Sequence, residues 1–165
     1  MEQKNIGKIQ LSTTDKLIEV LSWLILLISW IYSILYFSKL PEIIPSHFNA
    51  LGKVDDYANK MILFIAPAIS SFLVVGLTYL NRFPHLFNFP FKINKENAEK
   101  SYQVASRMIR YLKFSIALIF LLILDQTIQL AITQNNNLGF WVLPLILAMV
   151  FIPITFFLKK LFRVK

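Results

Sequence analysis

Four long apolar runs, separated by shorter polar stretches, dominate the pattern of hydrophobic and polar positions. They cover about residues 17–37, 61–80, 112–133 and 138–158. A helix needs about 20 apolar residues to cross a hydrocarbon core of roughly 30 Å, and each run has that length. Because backbone amides in lipid must be paired within their own segment, the runs predict transmembrane helices. The predicted fold class is all-α, an integral membrane four-helix bundle that forms one domain over residues 1–165.

Three prolines lie inside the second and fourth runs, namely Pro67, Pro144 and Pro153. A proline inside a helix removes one backbone hydrogen bond and crowds the preceding turn. Neighbouring helices can satisfy the freed carbonyl groups, so such prolines are tolerated in membranes as kinks. We therefore expect a bent bundle.

The composition agrees with a membrane protein, because 56% of the residues are hydrophobic and only 16% are charged. That leaves too little polar surface to coat a soluble globule of this length. There is no cysteine, which excludes disulfides, thiolate metal sites and a cysteine nucleophile. The net charge of +8 comes from basic residues that flank the apolar runs. Their position predicts contact with membrane lipids and no nucleic-acid partner.

The distribution of basic residues predicts how the chain crosses the membrane. Only three of the 17 lysines and arginines, Lys39, Lys53 and Lys60, lie in the first connection, and none lies in the short turn before the fourth run. Cytoplasmic loops retain the excess of basic residues. Both termini and the connection 81–111 are thus predicted to be cytoplasmic, with the loop 38–60 facing outward. The predicted location is the cytoplasmic membrane, as a multi-pass protein.

The cytoplasmic connection, residues 81–111, divides into two parts. The first is rich in proline and phenylalanine and lacks helical periodicity, which predicts an aromatic turn at the lipid headgroup level. From Asn94 onward there is an asparagine cap, glutamates follow it, and apolar residues recur every three or four positions. This pattern predicts one helix that runs unbroken into the third span and projects from the bilayer with an apolar stripe.

The outward loop, residues 38–60, is polar and rich in turn-forming residues. Pro41 and Pro45 each restrict their own backbone and that of the preceding residue, which predicts an extended chain after the first span. Gly52 supplies a position where a positive φ costs little. We therefore predict an ordered loop that folds back near Gly52.

Four polar residues of this loop can converge if it folds back there: His47, Asn49, Asp55 and Asp56. Imidazole and carboxylate groups bind metals, so His47, Asp55 and Asp56 are weak metal candidates, but their spacing matches no zinc pattern. In the other interpretation His47 and Asn49 hydrogen-bond the loop backbone, while the aspartates cap the next helix. Shaping a loop is the commoner use of such residues, and no cofactor is expected.

The loop also resembles a known signature, carried by Leu40, Pro41, Ile44, Pro45, His47, Phe48, Asn49, Gly52, Asp55 and Lys60. It is similar to the uncharacterised N-terminal membrane domain of SdpI-like proteins, which are immunity and signalling partners of a secreted sporulation-delay toxin. The resemblance implies an outward loop that meets an extracellular peptide or another membrane protein. It implies partner-binding roles for Pro45, His47, Phe48, Asn49, Gly52, Asp55 and Lys60. SdpI-like proteins carry further spans after this domain, which limits the transfer of function.

One carboxylate, Asp125, lies near the middle of a predicted span, with Gln126 beside it and Gln129 one turn away. An unpaired charge there is costly, so Asp125 must be protonated or face the bundle interior, a cavity or a partner. It is either a functional residue or part of a polar contact between helices, with Ser70, Ser71 or a backbone carbonyl freed by a proline as its partner.

Two functions from different classes remain open. The first is an interaction or immunity-like module whose loop recognises a peptide, a protein or a lipid. The second is a small transport or metal-assisted catalytic protein that uses the His47, Asn49, Asp55 and Asp56 loop together with Asp125. No hydrolase triad order, HExxH helix or pair of catalytic carboxylates occurs, which favours the first. Four spans leave little room for a transporter, so transport would require a homo-oligomer.

Overall fold

The structure is a computed structural model, and it describes residues 11–164. Lys4, Lys8 and Lys165, which contribute to the charge asymmetry, lie outside the described residues. The elements in chain order are helix α1 (Thr13–Phe37), strand β1 (Ile43–Phe48), strand β2 (Val54–Asn59), helix α2 (Ile65–Leu80), helix α3 (Ala98–Thr133) and helix α4 (Val142–Phe162). A 3₁₀ turn, Lys60–Phe64, leads into α2, and a second one, Pro84–Leu86, lies in the aromatic connection.

The predicted fold class is confirmed. Within residues 11–164, four helices are long and apolar enough to cross a membrane, and they coincide with the four apolar runs. The sheet is a minor addition in which β1 and β2 pair antiparallel. The fourth helix begins and ends four residues later than predicted, since residues 138–141 belong to the turn that precedes it.

Helix α3 forms the centre of the bundle and packs against α1, α2 and α4. The α1 face within the bundle carries small side chains, because Ser22, Ser29 and Ser33 are each at most 1% exposed. Small residues let two membrane helices approach closely. The hydroxyl groups of Ser22 and Ser29 donate to carbonyl oxygens one turn earlier in their own helix, so they remain satisfied in the apolar interior.

The three prolines differ in their positions within the helices. Pro67 and Pro144 are each the third residue of their helix, in α2 and α4 respectively. The first turn of a helix has backbone N–H groups without partners, so a proline there removes no hydrogen bond. We therefore expect no kink at Pro144. Pro67 follows the 3₁₀ turn Lys60–Phe64, which runs directly into α2, and a kink there stays a prediction. Pro153 is the proline that lies inside a described helix.

The first half of α3 does not stand free. Its apolar stripe is covered by the aromatic connection and by the last turns of α4, where Val104 packs with Phe157 and Leu161. The rings of Phe89 and Tyr102 lie 5.6 Å apart, so at least this part of the connection points into the protein. The unbroken helix is confirmed, with 36 residues and a length of about 54 Å. Its first half is covered by the aromatic connection and α4.

Helix α3 also begins four residues later than the predicted cap at Asn94. The side chain of Asn94 does accept the backbone N–H groups of Glu96 and Asn97, at 3.0 and 2.9 Å. It thereby forms the turn before the helix, and the helix itself starts at Ala98.

Candidate functional site

The connection between α1 and α2 contains a β-hairpin, formed by β1 and β2. Ile43 of β1 lies opposite Asn59 of β2, and Pro45 lies opposite Tyr57. The register then shifts on each side of His47, which marks a β-bulge. The predicted extended chain after Pro41 is thus present, and the structure adds the strand pairing that the sequence pattern did not indicate.

Asn49 organises the turn of the hairpin. Its side-chain oxygen accepts the backbone N–H groups of Leu51 and Lys53, at 2.9 and 3.1 Å. Its backbone carbonyl accepts the N–H of Gly52 at 2.9 Å. Gly52 has a φ of 75°, as predicted for the point where the chain reverses. Asparagine and glycine therefore supply the two features that a tight turn of this kind needs.

The hairpin is fastened to the turn between α3 and α4, a contact that sequence reasoning missed. The N–H of Val54 donates to the Asn136 carbonyl at 3.0 Å, and the N–H of Leu138 donates to the Gly52 carbonyl at 2.8 Å. The Tyr57 hydroxyl donates to the Asn136 side-chain oxygen at 2.8 Å. The asparagine-rich composition of this turn is the feature of the sequence from which polar pairing could have been predicted.

His47 and Asp55 contact each other across the hairpin, with Nδ1 and Oδ1 2.6 Å apart. Their side chains are 67% and 41% exposed, so the pair lies on the surface. Asp56 lies opposite His47 in the strand register, but its carboxylate accepts the N–H of Tyr57. Among the described residues no group of three or more His, Cys, Asp or Glu comes together as metal ligands.

The helix after the hairpin is capped by a residue other than the two aspartates. Asp55 and Asp56 lie within β2, and the side chain of Asn59 accepts the N–H of Met61 at 3.0 Å. The prediction that the aspartates cap this helix is wrong, because strand β2 continues for three residues beyond Asp56 and only Asn59 reaches the cap position.

Lys60 connects the end of the hairpin with the end of α1. Its ammonium group lies 2.8 Å from the Glu42 carboxylate and 5.1 Å from the centre of the Phe37 ring. The side chain of Lys60 is only 16% exposed, which strengthens both contacts relative to a free surface lysine. The signature lysine therefore anchors the hairpin to the bundle.

The intramembrane carboxylate Asp125 contacts α1. The Tyr32 hydroxyl donates to Asp125 Oδ1 at 2.8 Å, and the side-chain amide of Gln126 donates to Oδ2 at 3.2 Å. Gln129 lies at the limit of hydrogen bonding, with its Nε2 3.5 Å from Oδ1. Asp125 and Gln129 therefore share one face of α3, as expected from their spacing.

The predicted serine partners of Asp125 are wrong. Ser71 accepts the Trp30 indole N–H at 3.0 Å and donates to the Pro67 carbonyl. Ser70 is buried in the bundle and has no hydrogen-bond partner among the described residues. Tyr32 takes the place of the serines because it projects from α1 toward Asp125.

We expect Tyr32→Phe to lower the free energy of unfolding by about 1 kcal/mol, the size of a typical interhelical hydrogen bond in a membrane protein. Tyr36→Phe is a matched control, because the Tyr36 hydroxyl has no hydrogen bond among the described residues and its ring packs on that of Tyr32. The free energy of unfolding of both variants is measured in mixed micelles. Combining Tyr32→Phe with Asp125→Asn should cost less than the sum of the single changes. Equal losses for the two tyrosines would contradict the assignment.

A cluster of charges joins α1 and α3 at the opposite end of the bundle. Arg107 donates to Asp15 through two nitrogens at 2.8 Å, and Lys113 hydrogen-bonds Glu19. Arg110 lies 3.7 Å from Glu19. These pairs were not predicted from the sequence. The spacing of these residues could have predicted the cluster. The two acids are four residues apart and the three bases follow at intervals of three, so each set lies on one face of its helix.

A cavity of about 490 Å³ lies beneath the hairpin, between α2, α3 and α4. Its roof is formed by Pro45 to Asn49 and Gly52, so five signature positions border it. Its walls are mainly aliphatic and aromatic side chains of the three helices. Gln126, which pairs with Asp125, also lines the cavity and thereby joins the intramembrane polar cluster to it.

Four membrane-crossing helices define the class of this protein, a multi-pass integral membrane protein. Residues 24–70, which include most of α1, the hairpin and the start of α2, match a family described as a domain of unknown function (DUF1648). The chain is also 33% identical over 94 residues to an uncharacterised protein of Archaeoglobus fulgidus. That match covers 52% of this chain and 51% of the relative, so the chain spans about half of the relative's length. No solved structure matches the chain.

Proposed function

We propose that the protein is a recognition module of the cytoplasmic membrane, with an immunity or signalling role of the kind that the SdpI-like signature implies. Its hairpin faces outward and binds an extracellular peptide or the exposed part of another membrane protein. The single observation that carries this proposal is the hairpin itself, a polar structure held rigidly at one end of an apolar bundle.

Three sets of contacts support the rigidity of the hairpin. Asn49 closes its turn, Asn136 fastens β2 to the turn between α3 and α4, and Lys60 anchors its end to α1. Binding residues commonly lie on loops that a rigid scaffold holds in position. A partner that binds a preformed surface has less conformational entropy to offset than one that must order a loop.

The surface that the hairpin presents combines polar and apolar groups. The exposed pair His47 and Asp55 offers hydrogen-bonding groups, and Leu51 at the turn is 73% exposed. Phe140, in the turn to which the hairpin is fastened, is 89% exposed. Exposed apolar side chains rimmed by polar groups are typical of interaction sites.

The orientation can be tested with single cysteines, since the chain has none of its own. We expect a membrane-impermeant thiol reagent to label Leu51→Cys in intact cells. Lys100→Cys, in the first turn of α3 at the other end of the bundle, should react only after the cells are opened. The reverse pattern would contradict an outward hairpin, and labelling of both in intact cells would show that the reagent had crossed the membrane.

The proposed role can be tested in cells that are sensitive to a sporulation-delay toxin. We expect expression of the chain to raise the toxin concentration needed for half-maximal killing. Leu51→Glu should reduce that protection about 30-fold, because a central apolar anchor of an interface contributes about 2 kcal/mol. Leu86→Glu is the matched control, since Leu86 is 66% exposed but lies in the aromatic connection.

The control must be expressed at the level of the parent chain for the comparison to hold. Absence of protection by the parent chain at that level would contradict an immunity role. Equal protection by the Leu51 and Leu86 variants would contradict recognition through the hairpin turn.

A further inference from the structure

The cavity beneath the hairpin has a different chemistry from the outward surface. It is lined by apolar side chains of α2, α3 and α4, and no Asp, Glu, Lys or Arg is among the described residues that line it. A ligand in this cavity therefore has an apolar body. His47 also lines the cavity, but its ring is already bound to Asp55. A charged group buried there would therefore lose its hydration without gaining an ion partner of its own, which is strongly unfavourable.

The roof of the cavity contains an unsatisfied hydroxyl group. Ser46 lies between Pro45 and His47, where the register of the hairpin shifts, and it lines the cavity. Its Oγ is buried and has no hydrogen-bond partner among the described residues. Buried polar groups are nearly always paired. Other atoms of Ser46 line the cavity, and rotation about its Cα–Cβ bond turns this unpaired hydroxyl toward a ligand's polar atom there.

The α3 wall adds two further hydrogen-bonding groups, on Gln126 and Thr127. The Nε2 of Gln126 donates to Asp125, and its side-chain oxygen has no partner among the described residues. A predominantly apolar cavity with a few convergent polar groups is the usual form of a small-molecule site. These groups match hydroxyl and ester oxygens, which hydrogen-bond without carrying charge.

The cavity opens toward the bilayer between α2 and α4. Ile65 and Ile69 of α2 line it and are 53% and 44% exposed, and Leu143 of α4 lines it and is 44% exposed. The lining extends along α3 to Phe120, about 20 Å from the end of that helix. A molecule dissolved in the membrane can therefore enter sideways, with its polar end near the hairpin and its chains along the helices.

We propose that this cavity binds an uncharged membrane lipid of the diacylglycerol class, with its free hydroxyl near Ser46 and its acyl chains between α2, α3 and α4. The three features that select this class are a described lining without Asp, Glu, Lys or Arg, the unpaired hydroxyl at the roof and the lateral opening. The site goes beyond the proposed recognition by the outward face of the hairpin, and it does not depend on a peptide partner.

The test uses the full chain in nanodiscs of phosphatidylcholine, with two photoreactive probes that carry the same diazirine acyl chains. One probe is a diacylglycerol and the other a phosphatidylcholine. We expect the diacylglycerol probe to label residues of the cavity wall, and excess unlabelled dioleoylglycerol to compete with it. Equal labelling by both probes would overturn the proposal, because the cavity would then take any acyl chain. Absence of competable labelling at the wall would overturn it as well.

Variants separate the apolar and polar parts of the site. Ile69→Trp and Ile146→Trp fill the cavity and should each lower the competable labelling about tenfold, a fold-change typical of overpacking. Ile28→Trp is the matched control, because Ile28 is 49% exposed on α1 and does not line the cavity. An equal loss in the Ile28 variant would assign the effect to general damage and contradict the site.

Ser46→Ala should lower the preference for diacylglycerol over phosphatidylcholine about fivefold, the fold-change expected for one hydrogen bond. Ser38→Ala is the control, because Ser38 is exposed and lies before the hairpin. An unchanged preference in the Ser46 variant would contradict the assigned position of the lipid hydroxyl. A photoreactive side chain at Ile69 that captures a second copy of the chain would instead assign the cavity to self-association.

Discussion

Glu19→Gln is expected to lower the free energy of unfolding by about 3 kcal/mol, the largest effect that we expect from a single substitution here. Glu19 is the carboxylate that contacts both Lys113 and Arg110. The side chains of these two bases are only 1% and 11% exposed. Removing one partner of a buried ion pair leaves an uncompensated charge, and that cost exceeds what the pair contributed.

Unfolding of the purified protein in mixed micelles, followed by the loss of helical circular dichroism, measures this effect. Glu99→Gln is the matched control, because Glu99 is an exposed glutamate in the first turn of α3 and should change stability by less than about 0.5 kcal/mol. The double variant with Lys113→Met should recover part of the loss, since it removes the buried ammonium group as well. Equal stability of the Glu19 and Glu99 variants would contradict a buried ion-pair cluster.

Gly52→Ala is expected to lower the free energy of unfolding by about 2 kcal/mol, through two separate causes. The first is the φ of 75° at Gly52, in the left-handed region that residues with a Cβ rarely adopt. The second is space, because a Cβ at Gly52 would lie 3.2 Å from the backbone oxygen of Gly139. A shift of the hairpin would relieve this contact but would disturb the hydrogen bond from Leu138 to Gly52.

Gly76→Ala is the matched control for this substitution. Gly76 lies inside α2, and a Cβ there would meet nothing within 4 Å. Alanine in a helix interior is more favourable than glycine by about 0.5–1 kcal/mol, so this variant should gain stability. The same chemical change thus has opposite expected signs at the two sites. A neutral or stabilising Gly52→Ala would show that the turn tolerates a side chain.

The two substitutions also distinguish the two ends of the bundle. Glu19 belongs to the charge cluster that joins α1 to α3, and Gly52 belongs to the hairpin that rests on the turn after α3. The hairpin is the part for which we propose recognition. We therefore expect Gly52→Ala to weaken protection against the toxin more than Glu19→Gln does, when the two variants are compared at equal amounts of folded protein.

Much of the membrane architecture follows from the sequence alone. The four apolar runs determine the helices, because a backbone in lipid must satisfy its own hydrogen bonds over about 20 residues. The unbroken α3, the extended chain after Pro41 and the reversal at Gly52 were also predictable. Each of these depends on local properties, which are hydropathy, helical periodicity and the backbone freedom of single residues.

The parts that only the tertiary structure decided join residues far apart in the chain. Tyr32 pairs with Asp125, Tyr57 pairs with Asn136, and Glu19 pairs with Lys113. Several side chains were compatible with each of these roles. Ser70 and Ser71 were both possible partners for Asp125. The periodicity of α3 predicted its apolar stripe, but no local pattern indicated that the aromatic connection covers it. Which candidates meet depends on how the helices pack and rotate about their axes, and hydropathy carries little information on either.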